Sequence, residues 1–103
     1  MQTIRAKTFT AENAWDAMTI ACMQAISTRL HWTDKAHHWH TNDGEEVFVA
    51  LDGKVTMHYE QEAKRLSKLL EIGDIFYASI GTKHFADPIG EARVLVIEKQ
   101  HSI

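Results

Sequence analysis

From residue 46 onward, the sequence alternates between short strand-forming runs and turn residues, which restricts the fold to one built from β-sheet. Residues 46–51 are rich in β-branched and aromatic side chains, and they end at Asp52-Gly53, a strong signal for a two-residue hairpin. We therefore predict a hairpin at this dipeptide and a second strand after it. Three apolar residues of that strand share the face that we expect to be buried: Val55, Met57 and Tyr59.

Further strands are predicted on both sides of this pair. Residues 65–70, 75–77 and 92–99 have strand character, and residues 79–83 form a turn. Near the N-terminus, Thr10 could cap one or two helical turns, but the alternation that ends at Trp32 favours two strands in this region. Many short strands and almost no helix indicate an all-β sandwich or barrel, which limits exposed edges by closing the sheet.

Length, charge and cysteine content exclude several classes of protein. The 103 residues suffice for one core, and no repeat or linker divides them, so we expect a single domain over residues 1–103. The net charge of −3 means that the chain lacks the excess of positive charge that attracts nucleic acid. No apolar run reaches the roughly 18 residues that are needed to cross a bilayer. The single cysteine, Cys22, which we expect to be buried, and the lack of an export signal in residues 1–16 favour a cytoplasmic protein.

Histidines are crowded into one short segment. The chain has seven, and four of them lie between residues 31 and 40. On an extended chain, His38 and His40 point to the same side, and His37 points to the other. Two imidazoles and a carboxylate from the next strand would provide three ligands for a divalent first-row metal, with His84 as a fourth donor from a distant strand. The alternative is that these histidines are polar surface residues on an edge strand.

Two patterns in the sequence resemble the motifs of the cupin superfamily. His38-Trp-His40, followed by Glu46 and Gly53, resembles the first motif, and three residues keep the spacing of the second: Gly73, Gly81 and His84. The resemblance implies a small single-domain cupin of the conserved-barrel cupin-2 type, whose fold is a double-stranded β-helix, or jelly-roll barrel. It also implies a metal held inside the barrel by His38, His40, Glu46 and His84.

The sequence departs from these motifs mainly at turns. Trp32 and Ser79 stand where the motifs have Gly and Pro, and Pro88 stands where Asn is usual. The carboxylate ligand is ambiguous, because Glu45 keeps the usual gap from His40 whereas Glu46 keeps the six-residue gap to Gly53. We choose Glu46, since a strand that leads into a hairpin fixes the direction of its side chains.

The resemblance implies a metal-dependent enzyme of the dioxygenase, isomerase or lyase type, acting on a small organic molecule inside the barrel. The metal would be Fe, Mn, Ni or Zn, and no catalytic residue is assigned. A non-catalytic module that binds or senses a small ligand, and a purely structural metal, are the alternatives. Four residues are candidates for the pocket: Arg29, His31, Phe48 and Phe76.

The remaining expectations concern partners and the other histidines. Residues 2–9 need a sheet edge to pair with, and a second copy of the chain would provide one, so we expect a homodimer. His37 is expected in solvent, and His58 and His101 are expected outside the pocket.

Overall fold

Seven antiparallel strands form one continuous sheet in the computed structural model, which describes residues 1–101. The strands are β1 (Ala17–Met23), β2 (Ile26–Thr33), β3 (His40–Thr41), β4 (Glu46–Gln61), β5 (Lys64–Leu70), β6 (Ile75–Ala78) and β7 (Lys83–Lys99). The helical content of residues 1–101 is one 3-10 turn, Ala6–Thr8. The predicted all-β class is therefore confirmed, and none of the described residues belongs to a helix long and apolar enough to cross a membrane.

The two long strands, β4 and β7, pair along almost their whole lengths, from Glu46 opposite Glu98 to Tyr59 opposite His84. Their two ends have different neighbours. Residues 46–49 of β4 pair with β6, and the C-terminal part of β7 pairs with β2, which pairs with β1. The C-terminal part of β4, residues 55–61, pairs with β5. The first two residues of β7, 83 and 84, pair with β3. The sheet thus has a first layer (β1, β2, β6) and a second layer (β3, β5), joined by β4 and β7 in a jelly-roll arrangement.

The long strands bend where the two layers meet. The register of β4 against β7 shifts on both sides of Asp52, and Gly53 has a φ of +78°. A β-bulge of this kind bends the strand and increases its twist. The predicted hairpin at Asp52-Gly53 is wrong: β4 continues through this dipeptide. Glycine at positive φ suits a bulge as well as a turn, which is why the local signal was misleading.

The bend brings the ends of the β4 and β7 pairing together. In a straight strand, residues 46 and 59 would lie about 40 Å apart. Glu46 nevertheless contacts His84, the residue that pairs with Tyr59. The fold therefore brings the two ends of one strand pair together at the wall of one cavity.

The core lies between the two layers and below that cavity. Its buried residues come from both parts of β4 and β7, with Leu70 from β5: Phe48, Ala50, Val55, Met57, Leu70, Ala86, Ala92, Val94 and Val96. Val55 and Met57 are fully buried, as predicted, while Tyr59 is half-buried.

Other local predictions have mixed outcomes. The two predicted strands between residues 18 and 32 are present as β1 and β2, and residues 79–82 connect β6 to β7. The last strand begins at Lys83 instead of residue 92, because β7 runs through the bend. Cys22 is exposed instead of buried, since β1 is an edge strand that packs little against the core. Residues 2–9 form no strand, and the carbonyl of Phe9 accepts a hydrogen bond from Nε of Arg93 (2.8 Å).

Replacing Gly53 by Ala should destabilise the fold strongly. A Cβ atom at this position would lie 2.4 Å from the carbonyl oxygen of Glu91 and 3.1 Å from Cα of Ala92, so the backbone would have to move. We expect the free energy of unfolding to fall by about 3 kcal/mol, measured by urea denaturation. Gly90→Ala is the matched control, because Gly90 also has a positive φ but a Cβ there meets nothing within 4 Å. It should cost about 1 kcal/mol, and equal losses in the two variants would contradict the close approach at Gly53.

Candidate metal centre

Two imidazoles and one carboxylate converge at the wall of a cavity between the layers. His40 comes from β3, Glu46 begins β4, and His84 lies near the start of β7. Their candidate ligand atoms all lie within 4.8 Å of one another. His40 is opposite His84 in the β3–β7 register, which puts both rings on the same face of the sheet. The structure thus brings together three of the four predicted ligands.

The contact between His84 and Glu46 is almost inaccessible to solvent. Nε2 of His84 lies 2.9 Å from Oε1 of Glu46, and the two side chains are only 3% and 9% exposed. Nδ1 of His84 lies 3.3 Å from the carbonyl oxygen of Thr82, which can only accept a hydrogen bond. Both contacts are satisfied when each ring nitrogen carries a proton. A divalent cation in place of the Nε2 proton would bind the same nitrogen and oxygen lone pairs, so these residues fit a metal ion.

His40 is oriented for ligation by its own backbone. Its Nδ1 donates a hydrogen bond to the carbonyl oxygen of His38 (3.0 Å), which leaves the lone pair of Nε2 free. Burial lowers the pKa of His40, and the hydrogen bond to His38 offsets this only in part. Burial thus favours the neutral imidazole, which is the form that binds metals.

The structure places Glu46, and not Glu45, in the cluster. Glu46 is buried, whereas Glu45 is exposed and accepts a hydrogen bond from the hydroxyl of Tyr77. The direction of Glu46 follows from the register of β4, in which it lies opposite both Glu98 of β7 and Ala78 of β6. The pairing of β4 with its neighbours, and not a hairpin, fixes this side chain.

His37 and His38 differ from the pattern expected of a regular strand. His38 is exposed, its ring stacks on that of His37 (4.2 Å between centroids), and it groups with His37 and His40 instead of with Glu46 and His84. The expectation that His37 lies in solvent is wrong: its ring is half-buried, lines the cavity and packs edge-on against Trp15. The physical reason is that β3 begins only at His40, so strand alternation does not extend back to these residues.

The cavity beside the cluster has a volume of about 220 Å³. Three of the four predicted pocket residues, Arg29, His31 and Phe48, line it together with the cluster. Phe76 does not; it packs against the core and lines an open groove on another face. Residues that the sequence did not indicate complete the wall: Trp15, His37, Met57, Ala86, Val96 and Glu98. This volume lies below the range of about 300–1,000 Å³ that is usual for ligand pockets, so the cavity could hold only a very small molecule.

Arg29 and His31 lie on the inner face of β2. Nδ1 of His31 donates a hydrogen bond to the carbonyl oxygen of Trp15 (2.9 Å), and burial lowers the pKa of this imidazole. Arg29 pairs with Val96 of β7 and lines the cavity. Within residues 1–101, its guanidinium is in none of the ion pairs shorter than 4 Å. The cavity therefore contains one cationic side chain that is available to an anionic ligand.

Glu98 is the main polar residue that sequence reasoning missed. It lies directly opposite Glu46 in the β4–β7 register and lines the same cavity. Burial, followed by the charge of Glu46, raises its pKa to about 7, while Arg29 acts in the opposite direction. The signal that would have identified Glu98 is the pairing of residue 46 with residue 98, a nonlocal contact that the sequence pattern does not contain.

Comparison with known proteins gives structural matches only. No protein-family profile matches the sequence, and no curated protein does. A cupin-2 domain containing protein from Shewanella frigidimarina is similar in structure, with a TM-score of 0.75 and 21% identity; the match covers 91% of this chain and 87% of that protein. Such identities are too low to transfer a function, but they show the fold.

Two enzymes also share this architecture over part of their length. An oxalate oxidase has a TM-score of 0.65 and 18% identity, covering 74% of this chain and 42% of that protein. Hydroxypropylphosphonic acid epoxidase from S. wedmorenis has a TM-score of 0.63 and 13% identity, covering 72% of this chain and 43% of the enzyme. The present chain thus corresponds to less than half of each enzyme.

Replacing Glu98 by Gln should stabilise the metal-free protein more at pH 8 than at pH 5. Because the pKa of Glu98 is about 7 in the folded protein and about 4.5 for an ordinary glutamate, the folded state binds more protons than the unfolded state between these values. The stability of the unmodified protein therefore falls as the pH rises through this interval, whereas the Gln variant lacks this loss. Thermal unfolding of chelator-treated protein at both pH values measures the difference. Glu62→Gln, in the exposed β4–β5 turn, is the control; a pH-independent effect of Glu98→Gln would contradict the argument.

Proposed function

We propose that this chain, which has the cupin fold, is a metal-dependent enzyme that acts on a small organic molecule in its cavity. One divalent transition ion, Fe²⁺, Mn²⁺, Ni²⁺ or Zn²⁺, would be held by His40, Glu46 and His84. The observation that carries the proposal is the convergence of these ligand atoms within 4.8 Å at the wall of the cavity. His38, the fourth ligand implied by the sequence motif, stays a prediction, since its ring lies outside this group.

The composition of the ligand set favours redox chemistry. Two imidazoles and one carboxylate on one side of an ion leave positions open for substrate and dioxygen, an arrangement typical of non-haem Fe²⁺ oxygenases. When bound, the ion would supply a redox centre and Lewis acid in contact with the cavity. The fold is shared with an oxalate oxidase and an epoxidase, two enzymes of oxidative reactions, which agrees with redox chemistry at this site. Isomerase and lyase reactions need no dioxygen, so the dependence of turnover on oxygen distinguishes them from an oxygenase reaction.

The chain's own residues would bind and orient the substrate. Arg29 is placed to bind an anionic group at the wall of the cavity, since a guanidinium matches a carboxylate in both charge and geometry. Phe48, Met57 and Val96 provide an apolar surface for the rest of the molecule. Glu98, whose pKa is about 7, can hold or release a proton beside Glu46 near neutral pH. A small organic acid is therefore the substrate class that the cavity fits best.

We also propose that the chain forms a homodimer in the cytoplasm. Four strands pair with a single neighbour, and two of them, β3 and β6, are too short to offer much of an edge. Of the two longer edge strands, β5 carries Lys64, Arg65 and Lys68, which protect an edge against pairing, whereas β1 carries no charged residue. β1 is therefore the edge at which a second copy would pair, and sedimentation at tens of micromolar protein that shows only monomer would count against this. The free thiol of Cys22 is compatible with a reducing compartment.

Glu46→Gln and His40→Ala should each weaken metal binding. The unmodified protein should bind about one ion per chain. Removing one of the three ligands should lower the affinity for Zn²⁺ or Fe²⁺ by at least about 100-fold. Titration calorimetry with a competing chelator measures the affinity, and elemental analysis measures the stoichiometry. His58→Ala is the control, because His58 stacks on Phe85 away from the cavity and lies 3.8 Å from Asp87. Unchanged affinity in Glu46→Gln would remove the basis of the proposed function.

The reaction is tested with Fe²⁺-loaded protein and a panel of small mono- and dicarboxylic acids, under air and under nitrogen. We expect substrate-dependent oxygen consumption, and we expect Arg29→Gln to raise the KM by about tenfold, because a charge-assisted hydrogen bond is lost. Arg65→Gln, whose guanidinium pairs with Glu60 outside the cavity, should leave the KM unchanged. Equal turnover under nitrogen would favour an isomerase or lyase. Thermal stabilisation by an acid without turnover would instead favour a ligand-binding module.

A further inference from the structure

A second group of possible metal ligands lies between the proposed centre and the surface. We call it the outer cluster: His37, His38 and His40. One ring nitrogen of each residue lies within 4.8 Å of a ring nitrogen of the other two. The ring centroids are 4.2 Å apart for His37 and His38, 5.0 Å for His37 and His40, and 5.7 Å for His38 and His40. Three imidazoles at such distances match the ligand number and type of a transition-metal site.

Backbone contacts hold two of these rings in a form suited to ligation. Nδ1 of His37 and Nδ1 of His40 both donate hydrogen bonds to the carbonyl oxygen of His38, at 3.3 and 3.0 Å. Since a carbonyl can only accept, both protons lie on Nδ1, and both Nε2 atoms keep their lone pairs. The backbone N–H of His37 is fixed in turn by the carbonyl oxygen of Ala86 (2.9 Å), and Trp15 packs edge-on against the His37 ring at 5.0 Å.

The outer cluster and the buried group share one ligand. His40 belongs to both, and its ring lies 4.3 Å from that of His84. With Nδ1 engaged by the His38 carbonyl, His40 has a single free lone pair and can bind one cation at a time. Occupation of the two sites is therefore mutually exclusive.

Exposure decreases continuously along this series of ligands. His38 is exposed, His37 and His40 are half-buried, and Glu46 and His84 are buried. A hydrated cation reaches the outer imidazoles first. The inner group is more buried and includes a carboxylate, and the attraction between its negative charge and a divalent cation is stronger where water is excluded, so transfer inward is favourable.

We propose that the outer cluster is a loading site: a divalent transition ion binds first to His37, His38 and His40, and then passes to His40, Glu46 and His84 while His40 remains bound. Metal–ligand bonds are exchanged, and the Nε2–H bond of His84 is broken as the ion enters, its proton leaving to solvent. The destination of the ion rests on the proposed function, whereas the outer cluster can be tested alone.

The test measures Zn²⁺ binding at equilibrium and the rate of Zn²⁺ uptake by stopped flow with a zinc indicator. His38→Ala should slow uptake by about tenfold and change the equilibrium affinity by less than about threefold, because the inner ligands are intact. Glu46→Gln should retain one weakly bound ion per chain at the outer cluster, and the double variant His38→Ala, Glu46→Gln should lose that ion. His58→Ala should behave like the unmodified protein in both measurements.

Several results would overturn the proposal. Two Zn²⁺ ions per unmodified chain would show that the sites are not exclusive, and an unchanged uptake rate in His38→Ala would show that the ion does not pass through the cluster. A loss of affinity in His38→Ala as large as that in Glu46→Gln would make His38 a ligand of the inner site. If Glu46→Gln binds Zn²⁺ as tightly as the unmodified protein while His38→Ala does not, then the inner centre fails and the outer cluster is the only metal site.

Discussion

The antiparallel pairing of β4 with β7, folded over at the bulge around Gly53, is the constraint on which the core and the candidate site both depend. One end of this pairing carries Glu46 and Glu98, and the other end carries Tyr59 and His84. In a flat sheet the two ends would be far apart. Because the strands bend where Gly53 approaches the backbone of Glu91, Glu46 and His84 meet across the cavity. The core residues on the inner faces of the same two strands hold this bend in place.

The sequence predicted the strands better than it predicted how they connect. Alternation and turn residues located most strands, since both signals are local. The Asp52-Gly53 signal was misread because a hairpin and a bulge both use glycine at positive φ, and the distinction depends on a strand some forty residues later in the chain. The extension of β7 back to Lys83 escaped prediction for the same reason: a long bent strand contains a bulge that resembles a turn.

In the candidate site, too, the residues that were predicted are those given by local spacing, and the residues that were missed are those placed by pairing with a distant strand. Motif spacing identified His40, Glu46 and His84, which do converge. It could not place His37 and His38, because strand parity holds only within a paired strand and β3 begins at His40. Glu98 was missed because its position opposite Glu46 is set by the β4–β7 register. The spacing rule pointed to Glu46, whose side chain does lie beside His84, although the hairpin invoked to justify the choice does not exist.

The hydrogen bond between His84 and Glu46 has a consequence for the proposed binding of a metal ion. Nε2 and Oε1 lie 2.9 Å apart, so a hydrogen bond between them places a proton where a bound cation would lie. Any cation that takes the position must displace this proton, so uptake is an exchange of one positively charged species for another. Acidic surroundings would then oppose filling and alkaline surroundings would assist it, through mass action on the displaced proton.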